Sequence, residues 1–209
     1  MPLDPKLTKF TTASPILASY SYTDIADGTG IITLNGSNVE DSAAVDFILS
    51  TNTYYTEDVL TQANQGNPAD FTKVLDINFD LSAFNSVRTI KGTAHFTISE
   101  SLLYAGQNCD SYLILKVRKY DGSTETDVAS VQTQRLDTDG AGTYYKTHIC
   151  ELEIPETIYA VGDVLRITVE AWVKGGSGTI DVHHDPQGAT VGTLKTTQFI
   201  SDIPFKIDL

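Results

Sequence analysis

From about residue 70 to its C-terminus the chain alternates apolar and polar residues with a period of two. In the run 73–81, Leu75, Ile77, Phe79 and Leu81 fall on one side, and Asp76, Asn78 and Asp80 fall on the other. Successive side chains of an extended strand point to opposite faces, so this run predicts a strand with one buried and one solvated face. The pattern returns with Ala94, Phe96 and Ile98 against Thr93, His95 and Thr97, and with Leu113, Leu115 and Val117 against Ile114, Lys116 and Arg118. It returns once more with Leu165, Ile167, Val169, Ala171 and Val173 against Arg166, Thr168, Glu170, Trp172 and Lys174. Half-buried antiparallel strands have this signature, and the β-branched and aromatic content suits them.

Turn chemistry separates the runs: ADGTG at 26–30, LNGSN at 34–38, YDGST at 120–124, DTDGAG at 137–142 and KGGSG at 174–178. Asp-Gly and Asn-Gly steps supply the positive φ of tight hairpin connections. The stretch NVEDSAAVDFIL at 38–49 is read either as one short helix or, through Val45, Phe47 and Leu49, as a strand. Roughly ten to twelve strands with local connections predict an all-β fold, an antiparallel β-sandwich of jelly-roll type. Residues 1–15 hold three of the seven prolines and no alternation, and so predict an extended N-terminal arm before a single β-sandwich domain at 16–209. The polar stretch 50–70 predicts a functional or mobile loop.

Charge narrows the partners. Lys and Arg number 14 against 27 Asp and Glu, a formal net charge of −13 without any basic cluster. Such a field disfavours direct nucleic-acid or membrane binding and keeps a crowded protein in solution. The start, MPLDPKLTKF, lacks the apolar run of a signal peptide, and no segment approaches the roughly 18 apolar residues of a membrane span. A soluble protein made in a cytoplasm is the expectation. Cys109 and Cys150 are too few for a disulfide scaffold, which leaves one bridge open.

The densest chemistry is GTIDVHHDPQG at 178–188. Asp181, His183 and Asp185 share one face of an extended strand, and an Asp-x-His-x-Asp ladder can offer three ligands to Zn, Mn or Fe. Asp185-Pro186 followed by Gln-Gly is also a strand stop, and metal sites in β proteins usually draw ligands from several strands. The favoured reading is the returning limb of a hairpin that starts at Val164 and turns at KGGSG. Ile180, Val182 and His184 then lie on its apolar face, with Asp181 and His183 on the wet one. No metal or other cofactor is expected.

Other constellations are weaker. Asp137 and Asp139 begin like a calcium loop, but His148 stands where that loop needs Glu, so a hairpin loop is expected. There is no G-x-S-x-G elbow, and His95 sits on a wet face. His148 and Cys150 share a strand face without a visible orienting acid. Glu151 and Glu153 read as the wet side of a sheet. No catalytic residues are expected, and the chain is read as not being an enzyme. Tyr20, Tyr22, Tyr54, Tyr55, Tyr144 and Tyr145 fall on polar faces or in loops and are candidates for an interface.

Three segments carry a resemblance: YSYTDIADGTGIITLNG at 20–36, VLRITVEAWVKGGSGTIDVHHDP at 164–186 and ISDIPFKIDL at 200–209. They are similar to segments of tailed-bacteriophage virion proteins, in which a T-D-x-x-x-G-T-G start and an IPFKI ending bracket a β-rich domain. The resemblance implies a capsid decoration, head-fibre or accessory protein with a jelly-roll body, located in the virion. It implies the major capsid protein or other virion proteins as partners, and a homo-oligomer, most simply a trimer. The alternative is a carbohydrate-recognition module of a phage fibre, suggested by the loop tyrosines, Trp172 and the acidic turns.

Overall fold

The computed structural model describes residues 18–19, 28–41, 44–53, 60–104, 108–184 and 198–206. The predicted arm at 1–15, together with Tyr20, Tyr22, Tyr54, Tyr55 and Asp185, lies outside the described residues. Strands β1 (Ala18–Ser19), β2 (Thr29–Asp41), β3 (Ala44–Ser50), β4 (Leu60–Asn64) and β5 (Thr72–Asp80) come first. They are followed by β6 (Arg88–Tyr104), β7 (Cys109–Tyr120), β8 (Glu125–Gln132), β9 (Leu136–Asp137) and β10 (Gly142–Tyr159). Strands β11 (Val164–Gly175), β12 (Gly178–His183) and β13 (Ile200–Lys206) complete the described chain. No helix occurs among the described residues, so none there is long and apolar enough to cross a membrane.

The fold is all-β and sandwich-like. One ladder runs β8, β7, β11, β5, then passes through a single parallel bridge, Ile48 to Asp80, into β3, β2, β13 and β6. Every other pairing among the described residues is antiparallel. The long β6 carries β10 along one edge and shares its other edge between β13 and β12, with β4 beyond β12. The ladder folds over so that Leu113, Leu115, Val117, Leu165, Ile167 and Val169 meet Phe96, Ile98 and Ile203 in one core. The alternation predicted these inward positions on β6, β7 and β11, but Thr168 and Glu170, expected on the wet face of β11, are buried as well, Glu170 beneath Lys116, Lys73 and Trp172.

One open alternative is decided and three local expectations change. The described residues of 38–49 are extended, as the strand alternative had it: β2 and β3 pair from Asn35–Ser50 to Asp41–Ala44, and Leu49 is buried in the core. LNGSN is not a turn. Gly36 lies within β2, where its N–H donates to the carbonyl of Phe199 at 2.9 Å and an added Cβ would stand 2.4 Å from the Phe199 ring. KGGSG does not close a hairpin, because β11 pairs with β5 and β7 whereas β12 pairs with β4 and β6. Both edges of β11 are already occupied, and the left-handed Gly175 and Gly176 (φ 69° and 67°) turn the chain across to the other layer. DTDGAG likewise connects layers, from β9 on β7 to β10 on β6. YDGST does close a hairpin between β7 and β8, with the Asp121 carboxylate accepting from the Ser123 and Thr124 N–H groups.

Candidate functional site

Polar groups concentrate around residues 99–101 of β6. By the alternation Glu100 should join Phe96, Ile98 and Leu102 in the apolar interior, and it does. Its Oε1 meets His148 Nε2 of β10 at 2.8 Å, and its Oε2 accepts from Ser111 Oγ of β7 at 3.1 Å. The two ionisable side chains are 0% and 2% exposed. Glu100 thus ties three strands and both layers together, and it is the orienting acid for His148 that no sequence spacing revealed. Cys150, two residues along β10, is half-buried; burial pushes its thiol up, away from thiolate. A raised thiol is a poorer nucleophile at neutral pH. A cleft of about 310 Å³ opens beside it, lined by Val131, Gln132, Gln134, Lys146, His148 and Cys150 among others. Both cysteines are free thiols, and the fully buried Cys109 is pushed up to about 11 by burial first and then by Asp110 and Glu100.

On the opposite face of β6, Ser101 Oγ donates to Asp181 Oδ2 at 3.0 Å and contacts His183 Nε2 at 3.1 Å. Gln62 Nε2 donates to Asp181 Oδ1 at 2.8 Å. The serine's only proton goes to the carboxylate, so His183 donates through Nε2–H and keeps a bare Nδ1. That Nδ1 is buried without a hydrogen bond among the described residues. Asp181 and His183 share a face as the alternation requires, but the expected wet side is corrected for His183, which is fully buried. The reason is topological: β12 sits between β4 and β6. Desolvation holds the imidazole below its ordinary range against the pull of Asp181. Asp181 and His183 are joined through Ser101, and no group of three metal-type side chains forms among the described residues. His184 packs edge-on against Phe47 and Phe79, on the apolar side that was expected.

The tyrosine candidates within the described residues separate. Tyr144 lies opposite Leu102, packs against the core and donates its hydroxyl to the Gly140 carbonyl at 3.1 Å. Tyr145 lies opposite Ser101 on the outer face and is half-buried. A different aromatic group occupies the outer face of the other layer. Trp172 of β11 and Tyr112 of β7 are direct cross-strand partners with near-parallel rings, 6.2 Å between centroids and 9° between planes. Phe71 abuts Tyr112 at 4.8 Å, and the Arg135 guanidinium lies 4.7 Å from the Phe71 centroid. Period-two reading placed Trp172 on this face; Phe71 precedes its strand and escaped any pattern.

Neither a protein-family model nor a curated protein matches this chain. Among solved structures, an aminopeptidase from the marine sediment archaeon Thaumarchaeota archaeon is similar at TM-score 0.52 and 8% identity, covering 83% of this chain and 36% of that one. An α-amino acid ester hydrolase is similar at TM-score 0.51 and 10% identity, covering 76% of this chain and 34% of that one. A structure of infectious bursal disease virus Gx strain aligns at TM-score 0.30 and 10% identity, over 92% of this chain and 53% of that one, too distant to carry an argument. The chain therefore spans about a third of the length of the hydrolases whose fold it shares. This corrects the expectation that the chain is not an enzyme: its fold recurs within hydrolases, so an all-β architecture without a familiar motif does not set it apart from them.

Proposed function

We propose that the chain is a β-sandwich assembly module, acting as a capsid decoration or accessory protein that grips a capsid lattice. The observation that carries this reading is a set of apolar side chains on the outside of the β6–β10 ladder. Leu103, Ile149 opposite Thr97 and Ile158 opposite Thr89 stand on one face, with Ile149 79% and Ile158 58% exposed. Val87 and Val161 lie at the end of the same ladder and are equally open. In a chain of net charge −13, apolar groups spaced along one face, with Glu151 and Glu153 between them, suit contact with an extended partner surface. The three resembling segments supply the kind of partner, a virion lattice. Prolines and bulges guard long strand edges against indiscriminate pairing, and Pro155 with the register shift between Ile154 and Thr157 does so in β10.

The test is quantitative mass spectrometry of purified virions together with co-sedimentation of the purified chain on empty capsids. Stoichiometric copies in particles, and sedimentation lost in the Ile149→Glu, Ile158→Glu double variant, are expected. Absence from particles, or undiminished sedimentation of the double variant, defeats the proposal.

A further inference from the structure

The outer face of the β5–β11–β7 layer is separate from the apolar face of the β6–β10 ladder and carries its own chemistry. We infer that the row Trp172, Tyr112 and Phe71 is a binding site for a neutral carbohydrate chain. Three half-buried aromatic rings, from β11, β7 and the residue before β5, lie side by side, with Trp172 and Tyr112 on the outward positions of their strands. Sugar rings present apolar C–H faces, which aromatic rings cover at little entropy loss, and hydroxyl rims, which need donors and acceptors alongside.

Exposed Lys73, Asp76 and Lys174 supply such groups at the margin, and the buried Glu170 holds the tryptophan in place. Trp172 Nε1 donates to Glu170 Oε2 at 3.0 Å, and Glu170 Oε1 takes Lys116 Nζ at 2.7 Å and Lys73 Nζ at 3.4 Å. Lys73 also bonds Asp76, and Lys174 lies opposite Asp110 in the register beyond Trp172. The Tyr112 hydroxyl makes no hydrogen bond among the described residues. Lys73, Lys116, Lys174 and Arg135 are matched by Asp76, Asp110, Asp137 and Glu170, so the face complements an uncharged ligand better than a phosphate or sulfate. A register shift between Ala171 and Trp172 leaves one extra residue in β5, Val74, opposite this point. Bulges of this kind re-aim side chains beside sites.

Trp172 is the only tryptophan in the chain, so its emission reports on this face without any substitution. The experiment titrates the full chain with cello-, chito- and malto-oligosaccharides, with dextran sulfate as the anionic comparison. Expected is a saturable change in Trp172 emission with at least one neutral series and none with dextran sulfate. Tyr112→Ala should weaken that affinity roughly tenfold, with Tyr145→Ala on the other layer unchanged and circular-dichroism melting curves confirming folded variants. No saturable change with any neutral series, an equal response to dextran sulfate, or an unaltered affinity in a folded Tyr112→Ala protein overturns the inference. None of these outcomes bears on capsid sedimentation, so the two proposals stand or fall separately.

Discussion

Glu100 and His148 meet at 2.8 Å inside the sandwich, 48 residues apart in sequence and nearly without solvent contact. Ser111 satisfies the second carboxylate oxygen from the other layer. Removing one member of a buried ionisable pair strands the other, whereas replacing both with apolar groups of similar volume is often neutral.

Glu100→Ala should therefore lower the unfolding free energy by about 1–3 kcal/mol, since it leaves the His148 nitrogen and the Ser111 hydroxyl without their partner, measured by urea denaturation. The Glu100→Leu, His148→Leu double variant should recover most of that loss. A loss below about 1 kcal/mol in the single variant would show that the pair contributes no more than an exposed one.

Gly36 is constrained by approach, since its Cβ would stand 2.4 Å from the Phe199 ring. Gly36→Ala is expected to cost about 1–3 kcal/mol by overpacking, and pairing it with Phe199→Leu should relieve part of the cost. An unchanged melting temperature in the single variant contradicts the packing.

His183 ties stability to pH. Its folded-state affinity for a proton is lowered by desolvation, so between its folded and unfolded pKa values the unfolded chain binds more protons. Stability is then complete above the ordinary imidazole range, about 6.5, and declines as the pH falls through it. His183→Gln should remove that component of the acid-side decline, read from melting temperatures between about pH 5 and 8. Identical slopes in both proteins would rule it out.

The thiols should differ in access and agree in sluggishness. Cys150, raised by burial but lining the cleft, is expected to react slowly with a thiol reagent at neutral pH. Cys109, fully buried and pushed up to about 11, should react only on unfolding. Rapid labelling of Cys109 in the native protein would contradict its placement.

Alternation determined which way successive side chains point, because the two-residue period is a local property of extended backbone, but Thr168, Glu170 and His183, all read as wet, are buried. It correctly placed Phe96, Leu115, Val169 and their neighbours inside and Trp172 outside. Turn motifs were less informative: the same Gly-containing signals make a hairpin at YDGST, a layer crossing at KGGSG and a close approach at Gly36. What a glycine does there depends on which strand edges are free, and edges exist only once distant strands have paired. The site chemistry was likewise decided in three dimensions. Asp181 and His183 were legible as a pair, but their union through Ser101, the burial of His183 and the meeting of Glu100 with His148 come from strands far apart in sequence. Period two tells a side chain which way to point; only the pairing of β6 with β10 and β12 decides what it meets.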